Sequence, residues 1–267
     1  SERNVIVGDF SLLGNVVLRE LRAEGVDGTH AVVDPGAPNG FMLKTRRTTA
    51  TSEVTYLRRG SAGSRLEPAD LPATLVAGAR VLHITGITAA LSESAHEVVR
   101  RAVEVARDGG VTVSFDVNHR SGLWTDARAS SVLRELVPCC DIVFASENEA
   151  ALVVGERPAE DAARELADLG PRHAIVKRGE LGYTACIEGE MFGGTAVAVP
   201  VADPVGAGDA FVAGYLASWL EGAAPADALR TANLAGAFVV AVPGDWEGLP
   251  TRAELVAFAN RTDAVTR

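Results

Sequence analysis

From residue 80 onward, short apolar runs alternate with longer stretches in which apolar residues recur every three or four positions. Residues 81–85 (VLHIT), 111–115, 141–145 (DIVFA) and 173–177 read as strands. Residues 92–107, 130–136, 147–154, 159–169, 225–242 and 252–260 read as helices. Ser92 is placed to cap the first of these, and Gly109-Gly110 stands beyond its end. Residues 183–187 and 195–201 are β-like on either side of the turn Glu188-Gly189-Glu190, and 211–220 is a helix with a mostly apolar face. Upstream, residues 12–24 are helical in period and stop at Gly25, and 29–33 is a short strand. Residues 1–7 enter without a methionine. Two β-rich runs, 40–47 and 53–59, joined by the polar stretch 48–52, have hairpin patterning. An isolated hairpin is marginal in water, so this one must lean on something. The alternation predicts an α/β fold, a mostly parallel sheet with helices on both faces, in which ligands bind at the carboxyl ends of the strands.

Composition narrows the classes. At 267 residues, 47% hydrophobic and 22% charged, the chain is one large α/β domain or a domain with a small appendage. No run approaches the roughly 18 apolar residues of a membrane helix, and the first residues show no signal-peptide pattern. A net charge of −10 without a basic block argues against nucleic acid as a partner. Three cysteines, two of them adjacent (Cys139, Cys140), make neither a disulfide framework nor a spaced metal site. They read as small buried side chains in a reducing cytoplasm.

The densest chemistry lies in Asp203-Pro204-Val205-Gly206-Ala207-Gly208-Asp209-Ala210-Phe211. Gly206 and Gly208 let the backbone turn tightly and present successive N–H groups where a helix begins, which makes an anion site from main chain. Asp209 puts a carboxylate inside that site. Asp near a helix start is most often only a cap, but Gly-Ala-Gly before it and Asp203 behind it favour a base beside a phosphate cradle. A dinucleotide fingerprint would need a third glycine where Phe211 stands, and a Walker loop would need Gly-Lys-Ser/Thr. Three further polar clusters close strands. Asp116-Val117-Asn118-His119-Arg120 could be a plain turn, yet Arg120 offers a planar fork for carboxylate or phosphate. Glu147 and Glu149, after Ser146, could be simple dipole partners of a helix start. Lys177 to Gly182 forms a glycine-rich turn between strands.

The pattern D-x-x-G-A-G-D-x-F resembles the signature of the ribokinase-like (PfkB) sugar kinases, and SFDVNHRSGLW resembles the matching segment of that family's 2-keto-3-deoxygluconate kinases. The resemblance runs from about Gly14 to the C-terminal helix. It implies a ribokinase-like three-layer fold, with a kinase core over residues 1–38 and 60–267 and a β-hairpin lid over 39–59. Family members begin with a strand and a Gly-rich substrate loop, and the expectation is that this segment is missing here. The implied activity is ATP- and Mg²⁺-dependent phosphorylation of the primary hydroxyl of a sugar acid in the cytoplasm, by a homo-oligomer paired through the lid. Asp209 would be the base, with Gly206, Ala207, Gly208 and Arg120 around the transferring phosphate. The acceptor would meet Tyr56 and Arg58, from a Y-x-R-x-G-S-A match, together with Arg120, Gly86 and Ile87. Ser146, Lys177, Gly179, Gly182 and Asn233 would line the nucleotide, as would the loop Pro243-Gly244-Asp245-Trp246-Glu247-Gly248. Glu149 matches the family's glutamate that orders water around magnesium, while Ser146 replaces its asparagine. His83, in a stretch resembling H-x-S/T-G-I-T, reads as a core histidine. One departure bears on substrate: Pro38-Asn39-Gly40-Phe41-Met42 carries Met42 where those enzymes have a second lid tyrosine. A neutral-sugar or nucleoside kinase, and a sensing protein without turnover, are the alternatives.

Overall fold

The computed structural model of the protein describes residues 6–8, 12–48, 51–244 and 246–265. In chain order its elements are β1 (Ile6–Gly8), α1 (Leu12–Ala23), β2 (Val32–Asp34), β3 (Phe41–Thr48), β4 (Thr51–Leu57), α2 (Ala73–Ala77), β5 (Val81–Thr85), α3 (Gly86–Leu91), α4 (Glu93–Asp108), β6 (Thr112–Asp116), α5 (Asp126–Leu136), β7 (Ile142–Ser146), α6 (Glu147–Val154), α7 (Ala159–Asp168), β8 (His173–Lys177), β9 (Tyr183–Ile187), β10 (Glu190–Gly194), α8 (Ala207–Leu220), α9 (Pro225–Val240) and α10 (Arg252–Val265). Six strands make one sheet in the order β10-β9-β8-β7-β6-β5, while β1 pairs with β2 and β3 with β4 in two small sheets. The large sheet is mixed: β5 and β6 are parallel, and β9 is antiparallel to both β8 and β10. The architecture is α/β.

Contacts divide the chain into two compact units, Ser1–Ile142 and Val143–Arg267. In the first, α4 follows its pattern closely. Ser92 Oγ accepts from Ala95 N at 3.0 Å, and Ala95, Val98, Val99, Ala102, Val103 and Ala106 are buried along one stripe. The stripe packs on β5 and β6, and each buried valine there contributes roughly 1.5–3 kcal/mol. Val113, Phe115, Val132 and Leu133 complete that core. In the second unit Phe144, Leu166, Ile175, Ile187, Tyr215 and Leu229 are fully buried. The hairpin expected to act as a lid, β3 with β4, lies within the first unit, and Thr45↔Glu53 and Met42↔Tyr56 fix its register. Residues 49–50, at its expected turn, lie outside the described residues, as do 1–5 and Asp245.

Four expectations are corrected. Residues 195–201 are not a strand; β10 forms instead at Glu190–Gly194, immediately after the turn Glu188-Gly189, both at positive φ. That two-residue turn brings the chain straight back along β9, so Gly194 ends the ladder against Tyr183. The apolar alternation beyond it finds no partner strand among the described residues, and Pro200 could not donate to one. The segment 6–8, not read as a strand, pairs in parallel with β2. His83 is exposed on β5 rather than in the core; β5 is the sheet's last strand, with no hydrogen-bonded strand beyond it among the described residues, and His83 Nδ1 lies 3.0 Å from Ser114 Oγ. Cys139 is half-exposed, whereas Cys140 and Cys186 are buried, and all three are free thiols. No described helix is long and apolar enough to cross a membrane.

Candidate active site

In the second unit, the approach to α8 is built from backbone. Ala202 N and Asp203 N both donate to Val240 O, at 2.7 and 3.1 Å, which ties the loop to the end of α9. Asp203 is buried, and its Oδ1 accepts from Val205 N at 3.1 Å, closing a tight turn. Gly206 follows at φ +84°, a left-handed conformation that favours glycine, and α8 begins at Ala207. The first bond of that helix runs from Ala210 N to Gly206 O at 2.8 Å. The N–H groups of Ala207, Gly208 and Asp209 therefore precede the intrahelical ladder, and no side chain caps them. Three outward donors and the positive end of a helix dipole form a nest for an anion.

Packing fixes where this nest sits. At the far end of β8, His173 Nδ1 lies 2.8 Å from the hydroxyl of fully buried Tyr215 on α8. At the near end, Lys177 Nζ lies 3.5 Å from where a Cβ on Gly208 would stand. Four residues of strand and seven of helix cover similar lengths, roughly 13 and 10 Å. The helix thus runs antiparallel to β8, and its N-terminus meets the strand's C-terminal lysine. Gly236 on α9 leaves room for Ala207 O, and Gly214 lets α9 approach α8 closely at Ala232 and Ala235. Asp209 is exposed in the first turn of α8. The structure thereby gathers Lys177, Gly206, Ala207, Gly208 and Asp209 around one cradle.

The other residues expected to line the nucleotide occupy defined positions. Gly179 (φ +57°) and Gly182 (φ +93°) shape the turn after β8, closed by Arg178 N to Gly182 O at 2.8 Å. A Cβ on Gly182 would stand 2.0 Å from Gly194 O, so that position admits no side chain. Asn233 Nδ2 donates to Thr195 O at 2.8 Å, which anchors the irregular segment after β10 to α9. Tyr183 is half-buried beside Gly194, and burial pushes its phenol above the ordinary tyrosine value. Ser146 and Glu149 form a reciprocal capping box at the start of α6: Glu149 Oε2 accepts from Ser146 N at 2.7 Å, and Ser146 Oγ from Glu149 N at 3.3 Å. Glu147 pairs with Arg178 at 2.9 Å. Among the described residues no group of three His, Cys, Asp or Glu is gathered as for a metal ion. Glu149, expected from the sequence to face the metal ion, has its carboxylate engaged in the capping box of α6.

The first unit holds the residues expected from the sequence on the acceptor side. Thr85 and Asp116 stand opposite each other at the ends of β5 and β6. Thr85 Oγ1 caps α3 by accepting from Ile87 N at 3.0 Å. Gly86 is buried, and a Cβ there would stand 2.1 Å from Val117 O. The segment Asp116–Asn118 is buried, and Asn118 takes φ +41°, unusual for a residue with a side chain. Arg120 is half-buried, and its Nη1 donates to His119 O at 2.9 Å. It has no acidic partner among the described residues. On the lid, the Arg58 guanidinium lies 4.3 Å from the ring centre of Tyr56, a cation–π pair that holds both side chains together. Sequence reading missed two features: the proximity of Lys177 to Gly208 and the pressure of Val117 on Gly86. Neither leaves a local signal, because each is a contact between separate elements.

Comparison with known proteins places these features in context. The model of the pfkB family carbohydrate kinases matches residues 6–252. A 2-dehydro-3-deoxygluconokinase of Thermoproteus tenax is 38% identical over 252 residues, covering 93% of this chain and 76% of that protein. One of Bacillus subtilis is 35% identical, covering 94% and 79%. Among solved structures, a ribokinase-type protein of Escherichia coli in complex with ATP and Mg²⁺ superposes with a TM-score of 0.90 at 26% identity, over 97% of this chain and 83% of that one.

Proposed function

Because the chain belongs to the pfkB family of carbohydrate kinases, phosphotransferases that act on an alcohol group, we propose that it transfers the γ-phosphoryl group of ATP to the primary hydroxyl of a 2-keto-3-deoxy sugar acid such as 2-dehydro-3-deoxygluconate. The observation that carries this reading is the uncapped start of α8, with Gly206 left-handed, Asp209 in the first turn and Lys177 beside Gly208. The names of the two relatives at 38% and 35% identity support the acid as acceptor.

Asp209 takes the proton of the acceptor hydroxyl as its oxygen attacks, and a positioned base is worth about 10² to 10⁴ in rate. The N–H groups of Ala207, Gly208 and Asp209 receive the charge that develops on the transferring phosphoryl oxygens. Donors fixed in this way cost nothing in reorganisation during the step and contribute about 10² to 10³ each. Lys177 adds a point charge at the same place. Glu149 would hold Mg²⁺ through water, and the ion would supply positive charge against the phosphate oxygens of the nucleotide. Gly179, Gly182 and Asn233 shape the nucleotide side, with Ser146 steadying Glu149. Arg58 and Arg120 take the carboxylate of the acid and the phosphate region, which is how a protein of net charge −10 accepts two anions. The exposed face of the lid, Phe41, Leu43 and Leu57, is the surface for a second copy of the chain, and the site is cytoplasmic.

A panel of sugars with ATP, read by coupled ADP release, tests the assignment. The acid is turned over and its neutral counterparts are not. Arg58→Ala removes that preference, at a cost of about tenfold or more in kcat/KM for the acid alone. An unmodified chain with equal activity on fructose or ribose would move the acceptor to a neutral sugar, a reading that Met42 opposite Tyr56 in the lid favours.

A further inference from the structure

The segment between β6 and α5 is held more firmly than a connecting loop requires. Val117 is fully buried with its carbonyl against Gly86, and Asn118 turns through the left-handed region. The chain then reverses, with Leu123 N donating to Arg120 O at 2.9 Å. Within this turn the His119 ring stacks on Trp124, with centroids 6.3 Å apart and planes inclined by 22°. The His119 Nε2 lies 3.6 Å from Asp126 Oδ1, at the first residue of α5. Arg120 closes the arrangement by bonding back to the carbonyl of His119.

Trp124 is the unexpected member. Its indole N–H is buried and has no partner among the described residues. A ring that only filled space would be better replaced by leucine or phenylalanine, which leave no orphaned donor. Its flat face lies close to parallel with the His119 ring. The peptide that carries this ring supplies the oxygen that orients the guanidinium.

We infer that His119 and Trp124 are positioning residues for Arg120: the stack of the two rings fixes the carbonyl to which the guanidinium is tied and so sets the affinity for the anionic acceptor. The inference rests on the reading of Arg120 as an anion contact of the kinase. It assigns to the Leu123-Trp124 end of the motif a role in acceptor binding rather than in folding alone. A guanidinium free to swing loses the pre-set geometry of its fork, and misplacement of about 1 Å can cost up to a hundredfold.

The test uses the full chain with ATP and the sugar acid. Trp124→Ala raises the acceptor KM about tenfold, while kcat stays within about threefold and the KM for ATP is unchanged. Trp124→Phe keeps a flat ring against His119 and restores the acceptor KM to within about twofold. It also removes the orphaned N–H, so its thermal midpoint does not fall. His119→Gln, which removes the ring from the other side, reproduces the KM effect and stands in should Trp124→Ala fail to fold. In an Arg120→Ala background Trp124→Ala adds nothing further to KM, since the two act as one unit. Losses that multiply, or that fall equally on both substrates, overturn the positioning role. If the unmodified chain shows no preference for an acid, the reading of Arg120 and this inference fall together. A clear acid preference without coupling between residues 120 and 124 removes only the inference.

Discussion

Asp209→Asn lowers kcat by at least about a hundredfold and leaves ATP binding within about twofold. The asymmetry follows from what holds each ligand. In the proposed mechanism the phosphate nest is the main chain of Ala207, Gly208 and Asp209, with Gly206 left-handed before it and Lys177 beside it. Asparagine alters none of those donors. It removes only the basic oxygen, which is needed when the acceptor hydroxyl gives up its proton. Asp209 is exposed in the first turn, so its favourable interaction with the helix dipole is worth only about 0.3–1 kcal/mol. The variant therefore unfolds within a few degrees of the unmodified protein. Coupled ADP release with the sugar acid, calorimetric titration of ATP and a thermal melt separate the three quantities. Near-normal turnover would remove Asp209 from the mechanism, and lost ATP binding would show that the nest itself had collapsed.

Gly86→Ala damages both stability and acceptor binding. The new Cβ would stand 2.1 Å from Val117 O, far inside contact distance, and its neighbour is backbone rather than a pliable side chain. Val117 is fully buried, so the strain passes into the strand end and the turn that carries Arg120. Overpacking of this kind costs about 1–3 kcal/mol, a fall in thermal midpoint of a few to about ten degrees in a protein of this size. Displacing Arg120 by even about 1 Å lowers kcat/KM for the acid by up to a hundredfold. ATP affinity is unchanged, because the groups proposed for the nucleotide side belong to the other unit. Steady-state kinetics at varied acceptor and varied ATP, with a melt alongside, measure all of these. An alanine variant with wild-type melting and wild-type acceptor KM would show that the two elements part without cost.

The elements most legible in the sequence are those whose signals are local. Residues 81–85, 147–154, 173–177 and 183–187 match β5, α6, β8 and β9 to the residue, because each is an apolar run or stripe bounded by polar or glycine positions. Ser92 marked the start of α4, and its hydroxyl does accept the capping bond from Ala95. The α3 helix escaped notice since Gly86 at its first position reads as a breaker; its cap, Thr85, and the close approach of Val117 explain the glycine. Residues 195–201 misled for the opposite reason. Their alternation is that of a strand, but a strand needs a partner, and the Glu188-Gly189 turn had already assigned β9 to Glu190–Gly194. His83 was misplaced because burial depends on which strand lies at the sheet edge, and strand order is not written in any single strand.

By itself the sequence determined the chemistry available: two glycines and a carboxylate at a helix start, arginines after strand β6 and on the lid, a lysine ending β8, and an alternation that builds an α/β sheet. Those follow from residue type and short-range spacing, which act within a few positions along the chain. The tertiary structure alone decided that Lys177 comes to Gly208, that Gly86 faces a carbonyl, and that Arg120 keeps its fork clear of described carboxylates. Each depends on residues brought together by strand pairing and helix packing, whose register is set by the whole core rather than by neighbours in sequence.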